Sequence, residues 1–305
     1  MLSGVPGLIV VGSANIDLVT TVPRFPVPGE TVLGSGFARF TGGKGANQAC
    51  AIAKLGGTPV FIGKVGNDSF GLQIISSLRQ FGVDTSNVYA EQDISTGTAM
   101  ITVAESGENT IVISPGANAR VTIDFVEDRM GKQECRTVLT QLEIPVETVA
   151  AVLKEAEIGI LDPAPATNLP KEIYDGLAWI TPNESETESL TGIAPIDDAT
   201  CEQAAKWFLD AGVQNVAVTL GAKGCYYANH TGGQHCRTIS VSSVDSTAAG
   251  DAFSGALALF LNEGREPVNA VMIANRSGAL ATTRLGAQAS LPSLAELQRV
   301  CSDIF

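Results

Sequence analysis

The sequence predicts an α/β protein of three layers, α/β/α, with a mostly parallel central sheet and a small β-sheet lid. After Gly116, short apolar segments alternate with segments whose apolar residues recur at helical spacing. Regular β–α alternation is typical of a parallel sheet that helices cover on both faces. Before Gly116, Thr-rich segments with period-two alternation interrupt this pattern and predict strands that leave the main sheet.

The predicted lid comes from two separate parts of the chain. Residues 18–40 alternate and are punctuated by prolines, which indicates a small antiparallel flap. Two more alternating segments flank residues 105–108, whose Glu-Ser-Gly-Glu sequence is a hairpin signal. We expect the two parts to form one lid, at about 16–41 and 96–115, within a single domain of residues 1–305.

The remaining elements form the central layers. Apolar runs predict strands, because buried parallel strands read as nearly continuous apolar segments. Residues 238–244 alternate instead and predict a strand that leads into a helix. Strands are predicted at 8–12, 60–63, 137–142, 157–161, 178–181 and 215–220, and helices near 68–78, 122–132, 145–155, 199–211, 251–263, 267–284 and 293–303.

Composition and charge disfavour several classes of protein. The 305 residues are 45% hydrophobic and carry a formal charge of −13, which argues against nucleic acid and anionic membranes as partners. The six cysteines form no C-x-x-C pair and residues 1–7 lack a signal-peptide pattern. We therefore expect reduced thiols in the cytoplasm, and in the nucleus as well if the source is eukaryotic. His230 and His235 are the only histidines, which disfavours a Ser-His-Asp triad. For the segment around them, a surface hairpin turn is favoured over a metal site.

Residues 245–253 place small residues and Gly250 at the predicted start of a helix. Backbone N–H groups at a helix start form an anion site, which the helix dipole strengthens. A carboxylate beside such a site, here Asp251, can accept the proton of a hydroxyl that attacks the anion, as phosphoryl transfer requires. Asp251 could equally cap the helix and Gly250 form an ordinary turn. This stretch alone leaves both interpretations open.

Residues 41–49 form another glycine-rich turn before a predicted helix. Lys44 and Asn47 lie one helical turn apart, so both side chains can face one ligand. The turn is not a Walker A loop, because Gly45 rather than Ser or Thr follows Lys44. By itself the pair Gly42-Gly43 indicates no more than a turn.

Polar residues follow several predicted strands, at the ends where open α/β sheets bind their ligands. One group has donors and acceptors suited to a polyol: Asn15, Asp17, Lys44, Asn47 and Glu143. A second group is rich in backbone groups suited to a nucleotide phosphate: residues 219–224 and 248–251. Further polar residues at predicted strand ends are Asp162, Asn183 and Glu186.

Two glycine-rich motifs, about two hundred residues apart, resemble the signatures of the ribokinase (PfkB) family of carbohydrate kinases. They are GGKGANQA at 42–49 and DSTAAGD at 245–251. The resemblance covers almost the whole chain and implies the ribokinase-like α/β fold. It also implies ATP-dependent phosphorylation of D-ribose at O5 to give D-ribose 5-phosphate and ADP. Further matching stretches are 11–17, 95–99, 115–118, 141–143, 163–166 and 181–186.

The resemblance implies roles for individual residues. Asp251 matches the family's catalytic base, and the backbone of Ala248, Ala249 and Gly250 matches its anion hole. Positions that bind ribose match Asn15, Asp17, Gly43, Lys44, Asn47, Glu143 and Asp251. Positions that bind ATP match Asn183, Glu186, Thr219, Gly221, Lys223, Gly224, Gly250 and Asn275.

The resemblance further implies two ions and a partner subunit. Mg²⁺ is expected with ATP, in a phosphate network that includes Asn183 and Glu186. K⁺ is expected beside the anion hole. A homodimer through the lid is expected, because the outer face of a small sheet would otherwise be exposed. The positions that match the K⁺ site are Asp245, Thr247, Ala281, Arg284, Gly286 and Ser290.

The chain departs from the family pattern at Asp162, where Asn is usual, at Asn275, where His is frequent, and in a shortened segment 143–162. These departures leave the nucleotide preference open. Alternatives are another kinase of the family, such as a fructokinase or adenosine kinase, and a non-catalytic sugar sensor. Lys44 and Glu143 favour a free sugar over a nucleoside, and a sensor has no need of a base. A Rossmann dehydrogenase is disfavoured by the missing G-x-G-x-x-G.

Overall fold

The computed structural model describes residues 7–131 and 135–304. Residues 1–6 lie outside this range, and they make up most of the segment that lacks a signal-peptide pattern. Residue 132, where a predicted helix ends, and Phe305 also lie outside it. The strands are β1 (Gly7–Val11), β2 (Asn15–Val22), β3 (Gly36–Gly42), β4 (Val60–Gly66), β5 (Val88–Glu91), β6 (Gly97–Ala104), β7 (Asn109–Ser114), β8 (Cys135–Thr140), β9 (Ile158–Leu161), β10 (Trp179–Ile180), β11 (Asn215–Thr219), β12 (Cys225–Asn229) and β13 (Gly232–Cys236). The α-helices are α1 (Lys44–Lys54), α2 (Ser69–Phe81), α3 (Ile123–Met130), α4 (Val146–Glu155), α5 (Glu184–Thr191), α6 (Asp198–Asp210), α7 (Ala249–Asn262), α8 (Pro267–Ala281), α9 (Ala287–Ser290) and α10 (Leu294–Val300).

Nine strands form the main sheet, in the order β13-β12-β11-β10-β9-β8-β1-β4-β5. Neighbouring strands from β11 to β5 are parallel, and β11, β12 and β13 are antiparallel. Successive residues of β1 face two different hydrophobic cores, with Leu8 and Val10 in one and Ile9 and Val11 in the other. The strand is apolar throughout because helices cover both faces of the sheet. The predicted three-layer α/β/α fold is therefore confirmed.

Helix α7 is the central helix of the larger core. Its residues from Asp251 to Asn262 are all buried, as expected for a helix that is apolar around its whole circumference. Helix α1 packs closely against it, because Gly255 lacks a side chain: a Cβ there would lie 2.8 Å from the Cβ of Ala51. This close approach brings the first turn of α1 beside the first turn of α7.

The second sheet has four strands in the order β3-β2-β6-β7. The two parts of the predicted lid do join in one sheet, within one residue of the expected ranges at β2 and β3. The outer pairs are antiparallel as predicted, but the central pair, β2 and β6, is parallel. The direction of this central pair was not predicted, and it is parallel because the chain passes through α1 and α2 between the two strands rather than through a hairpin. Large apolar side chains are exposed on this sheet, among them Phe37 (73%) and Val112 (60%).

One predicted strand is wrong. Residues 238–244 form no strand, although their sequence alternates. The main sheet ends at β13, and this segment instead lines a cavity through residues such as Ile239 and Val241. The alternation therefore does not mark a paired strand, and the successive residues Thr238, Ile239, Ser240 and Val241 all line the cavity. The hairpin predicted around His230 is confirmed as β12 and β13, whereas β5, α5 and α9 were not predicted.

No helix among residues 7–131 and 135–304 is long and apolar enough to cross a membrane. The cysteines whose side chains the structure describes are buried and free. They are Cys50, Cys201, Cys225, Cys236 and Cys301.

Candidate active site

Helix α7 begins with an open N-terminus. Its N-cap, Ala248, adopts a left-handed conformation with φ of 60°, which is costly for a residue with a Cβ. No side chain caps the helix, and within the described part of the chain the N–H groups of Gly250 and Asp251 donate no hydrogen bond. The Ala249 N–H donates to the Ser246 carbonyl at 3.2 Å. The helix start therefore presents the donors that an anion site requires.

Gly250 keeps the space in front of this helix start open. A Cβ at Gly250 would meet no atom within 4 Å, and its φ is not positive. Neither packing nor backbone conformation therefore requires glycine at this position. The missing side chain instead leaves the backbone accessible to a ligand.

The carboxylate of Asp251 does not cap its own helix. Its Oδ2 accepts a hydrogen bond from Asn47 Nδ2 at 2.9 Å, and its Oδ1 accepts one from Gln48 Nε2 at 3.1 Å. Burial raises the pKa of Asp251, whereas the charge of Lys44 and the two amide donors favour the ionised form. The capping interpretation is therefore wrong, and the structure places a buried carboxyl group beside the open helix start.

The acidic residues predicted to bind a sugar lie close to this carboxylate. Glu143 Oε2 accepts a hydrogen bond from the Lys44 N–H at 3.0 Å. Asp17 lies against the backbone before α1, since a Cβ at Gly42 would be 2.3 Å from Asp17 Oδ2. Burial, and then the charges of Glu143 and Asp251, raise the pKa of Asp17 to about 6. Three carboxylates from distant parts of the sequence thus act on one another electrostatically.

Gly43 permits the close packing of this region. Its φ is 88°, and a Cβ would lie only 2.7 Å from the backbone nitrogen of Asn15. The Asn15 side chain is buried, and its Oδ1 accepts a hydrogen bond from Asn118 Nδ2 at 2.7 Å. A side chain at position 43 would separate Asn15 from the start of α1.

Lys44 supplies the positive charge among these carboxylates. Burial alone would lower its pKa, but the charges of Asp162, Asp251, Glu143 and Glu186 outweigh burial and raise it above the ordinary lysine value. Lys44 therefore stays protonated at neutral pH and offsets the repulsion between the acidic residues. The predicted sugar-binding residues Asn15, Asp17, Gly43, Lys44, Asn47 and Glu143 are thus gathered around Asp251.

A cavity of about 380 Å³ opens on the other side of the α7 helix start. Its lining includes apolar side chains, Ile239, Val241 and Phe253, and no charged residue. Such a site suits a flat, weakly polar group beside an anion-binding helix end. Five residues predicted to bind the nucleotide line it: Thr219, Gly221, Gly224, Gly250 and Asn275.

The other predicted nucleotide residues lie outside this cavity. Asn183 and Glu186 form a capping box at the start of α5, in which the Asn183 N–H donates to Glu186 Oε2 at 2.9 Å and Asn183 Oδ1 accepts from the Glu186 N–H at 2.8 Å. Burial raises the pKa of Glu186, and the charges of Lys44 and Asp251 also act on it, so it faces the acidic cluster. Lys223 is exposed, and its Nζ donates to the Ile196 carbonyl at 3.4 Å.

The residues predicted to bind K⁺ come from two adjoining segments. Asp245 joins them, because its Oδ2 accepts from the Gly286 N–H and its Oδ1 from the Thr247 N–H, both at 2.9 Å. Ser290 donates to the Ala287 carbonyl at 2.8 Å, and Arg284 is paired with Glu296. Ala281 is buried at the end of α8. The segments are thus adjacent and rich in oxygen atoms, with Asp245 as the single carboxylate among the six predicted positions.

Several polar residues of the site were not predicted. Gln48 and Gln141 hydrogen-bond each other, and Gln48 also contacts Asp162, which the sequence analysis had named as a polar residue at a strand end and as a departure from the family pattern. Ser13 donates to Glu143 and Asn118 donates to Asn15. Gln48 could have been found from its place next to Asn47 in the glycine-rich motif. The others lie in stretches that match the family, 11–17, 115–118 and 141–143, but their roles depend on partners that are remote in sequence.

The chain is similar over nearly its whole length to known kinases. A family model described as "pfkB family carbohydrate kinase" matches residues 6–294. A ribokinase of Haemophilus influenzae is 38% identical over 296 residues, which cover 95% of this chain and 96% of that protein. A deoxyribokinase of Salmonella typhi is 33% identical over 303 residues, with 97% and 98% covered. The structure of Arabidopsis thaliana ribokinase complexed with ribose and ATP matches with a TM-score of 0.88 at 31% identity, covering 98% of this chain and 99% of that one.

Proposed function

The chain belongs to the pfkB family of carbohydrate kinases, and from this premise we propose that it transfers the γ-phosphoryl group of ATP to the 5-hydroxyl of D-ribose, giving D-ribose 5-phosphate and ADP. The relatives at 38% and 31% identity, both ribokinases, support ATP and ribose as the substrates. The observation that carries the mechanism is the buried Asp251 carboxylate beside the unpaired N–H groups at the start of α7.

Asp251 is the general base of this mechanism. As the ribose 5-oxygen attacks the γ-phosphorus, its proton passes to the Asp251 carboxylate, and the bond from phosphorus to the β-phosphate oxygen breaks. Burial raises the pKa of Asp251, and the charge of Lys44 and the amide donors of Asn47 and Gln48 oppose this rise by favouring the ionised form. The ionised form is the one that accepts the hydroxyl proton.

The start of α7 stabilises the transferred phosphoryl group. The backbone N–H groups around Ala248, Ala249 and Gly250 form the anion hole, and the helix dipole adds to their field. The absence of a side chain at Gly250 lets the phosphoryl group approach the backbone. Phosphoryl transfer needs little covalent assistance, so this positioning and charge stabilisation supply most of the rate.

The polar residues around Asp251 select the sugar. Asn15, Asp17, Lys44 and Glu143 offer charged and amide groups for the ribose hydroxyls, and Gly43 leaves room for the ring. A hydroxyl missing from the ligand would leave such buried groups unpaired, so the site discriminates strongly against deoxy analogues. The uncharged cavity lined by Asn275 and Phe253 holds the adenosine part of ATP.

Mg²⁺ enters with ATP. In the part of the chain that the structure describes, no group of three or more His, Cys, Asp or Glu side chains is arranged to hold a metal ion. Glu186 and Asn183 would be the protein side chains that hold the ion, together with the nucleotide phosphates and water, as Mg²⁺ commonly allows. When bound, the ion neutralises charge on the phosphates.

K⁺ would be held by the segments around Asp245 and Gly286. One carboxylate with hydroxyl and carbonyl oxygens, here from Asp245, Thr247, Ser290 and the backbone of Ala281, Arg284 and Gly286, would suit a large monovalent cation better than a divalent one. These segments adjoin the turn that leads into Ala248, so a bound ion would support the anion hole from beside it.

The small sheet acts as a lid over the sugar and as the surface of a homodimer. Asn15 and Asp17 lie at the start of β2, so movement of this sheet acts directly on ribose-binding residues. Exposed apolar side chains such as Phe37, Met100 and Val112 support burial against a second copy of the chain. The buried free cysteines support a reducing compartment, the cytoplasm.

A substrate panel tests the proposal. ADP release is measured with ATP and ribose, 2-deoxyribose, fructose or adenosine as acceptor, and deoxyribose is included because of the deoxyribokinase relative. We expect ribose to have the highest kcat/KM, about 10- to 100-fold above deoxyribose, since one hydroxyl contributes about 1–3 kcal/mol in a buried polar site. Equal or higher kcat/KM with deoxyribose would make that sugar the substrate. No sugar-dependent ADP release at all would contradict the kinase function.

A further inference from the structure

Gln48 lies behind the Asp251 carboxylate and is fully buried. Its Nε2 donates to Asp251 Oδ1 at 3.1 Å and to Asp162 Oδ2 at 2.7 Å. Its Oε1 accepts a hydrogen bond from Gln141 Nε2 at 2.5 Å. Both N–H groups and the oxygen of this amide are therefore engaged in hydrogen bonds.

Asp162 holds Gln48 from the side opposite to Asp251. It is 5% exposed and sits at the end of β9, in the main sheet, whereas Gln48 is on α1 and Asp251 on α7. Burial raises the pKa of Asp162 above its ordinary value, and the charge of Lys44 opposes this effect. The Asp162 Oδ2 atom thus anchors the amide from the end of the main sheet.

The two oxygens of Asp251 are thus held by adjacent residues of one helix. Asn47 donates to Oδ2 and Gln48 donates to Oδ1, and α1 itself packs closely against α7 at Gly255. Of the two amides, Gln48 is the one tied to the central sheet through Asp162 and Gln141. We propose that Gln48, held by Asp162 and Gln141, is a positioning residue that fixes the Asp251 carboxylate in the orientation needed to accept the ribose proton.

This inference rests on the proposed function, because it assigns Gln48 a role only if Asp251 is the base. A displaced general base loses rate while substrate binding persists. The Gln48 hydrogen bond also favours the ionised form of Asp251, so its removal should shift the acid limb of the pH profile to higher pH. If Gln48 only fills space, its substitution would change the stability of the fold and leave the acid limb of the pH profile unchanged.

The experiment compares Gln48→Met, of similar length but without hydrogen-bonding groups, with Gln80→Met on the exposed face of α2. We expect Gln48→Met to lower kcat about 10- to 100-fold with KM for ribose within about threefold, and to raise the pH of the acid limb of kcat/KM. Gln80→Met should match the wild type. A normal kcat and an unshifted acid limb in Gln48→Met, or a raised KM at normal kcat, would overturn the inference.

A second pair of variants keeps the inference testable if Gln48→Met does not fold. Asp162→Asn keeps an oxygen acceptor for the Gln48 amide, whereas Asp162→Ala removes it. We expect Asp162→Ala to lower kcat about tenfold more than Asp162→Asn, and equal kcat values would overturn the anchoring role. Asp251→Asn is measured in parallel. If Asp251→Asn is active, the proposal that Asp251 is the general base is contradicted. If Asp251→Asn is inactive while the Gln48 and Asp162 variants have wild-type kinetics, only the positioning role of Gln48 is contradicted.

Discussion

The two halves of the site, on either side of the α7 helix start, are built from different groups. The sugar half consists of charged and amide side chains, including Asp17, Lys44 and Asp251, which are largely removed from water and shift one another's pKa values. The nucleotide half is a cavity of about 380 Å³ with no charged lining residue, formed by glycines, small residues and a few apolar side chains.

This difference predicts how each half responds to change. Charges interact more strongly where water is excluded, so a substitution in the sugar half should alter the protonation of its neighbours. In the nucleotide half, recognition depends on shape and on accessible backbone, so a substitution should act locally. The predictions below test this contrast, from the largest expected effect to the smallest.

The largest effect is expected at Asp251. Asp251→Asn keeps the shape of the side chain but removes the proton acceptor, so kcat should fall about 10³-fold, within the range known for general bases. Ribose-dependent ADP release measures this loss, and calorimetric binding of ATP should be retained, because the cavity is uncharged. A kcat near the wild-type value would contradict the assignment of the base.

The pH dependence of the sugar half should reflect Asp17. The pKa of Asp17 is raised to about 6, so its negative charge is present above pH 6 and is lost as the pH falls through this value. We expect kcat/KM for ribose to decrease about tenfold between pH 7 and pH 5, and Asp17→Asn to make this decrease smaller, leaving the part that depends on Asp251. Binding of adenosine, measured over the same range, should stay constant. If adenosine binding were lost over the same pH range, the carboxylates of the sugar half would also control binding in the nucleotide half.

A smaller, local effect is expected from Gly250→Ala. The added methyl group meets no protein atom within 4 Å, so thermal unfolding should be unchanged or slightly higher. It does occupy the approach to the open helix start, so kcat/KM for ATP should fall about tenfold. KM for ribose serves as the control and should change little. Wild-type kinetics with ATP would show that the phosphoryl group does not approach Gly250.

The smallest effect is expected for the monovalent cation. Replacing K⁺ by Na⁺ at constant ionic strength should lower kcat about fivefold, a coupling of about 1 kcal/mol, because the ion acts on the anion hole through the segment after Asp245. The Asp245→Asn variant should show no difference between the two salts. If replacing K⁺ by Na⁺ lowers kcat equally in the wild type and in Asp245→Asn, the cation acts at a site that does not depend on Asp245.

Local patterns account for most elements that were predicted correctly. The lid segments and the helix that begins at Lys44 were correct because periodic alternation and helical spacing are properties of neighbouring residues. The strand predicted at 238–244 was wrong, because this segment lies along a cavity and belongs to neither sheet. The parallel pairing of β2 with β6 was missed, because no turn sequence connects the two strands.

Within the site, too, local sequence patterns identified only some of the residues and contacts. The spacing of Lys44 and Asn47 and the small residues before Asp251 are local features, so these residues could be recognised. The capping interpretation of Asp251 could be rejected only from the structure, where its oxygens accept from Asn47 and Gln48. Lys223 matches a family position, yet its side chain lies outside the cavity, because the backbone conformation of its loop decides where it points.

The sequence by itself determined the layers of the fold and the glycine-rich turns, since each depends on residues close together in the chain. The role of base was proposed for Asp251 only through the family resemblance, and only the tertiary structure decided how its carboxylate is held. Gln48 lies 203 residues from Asp251 and 114 from Asp162, and these side chains meet because α1 packs against α7 at the end of the parallel sheet. Hydrogen bonds between such distant residues depend on packing at the scale of tenths of an ångström, which no local pattern encodes.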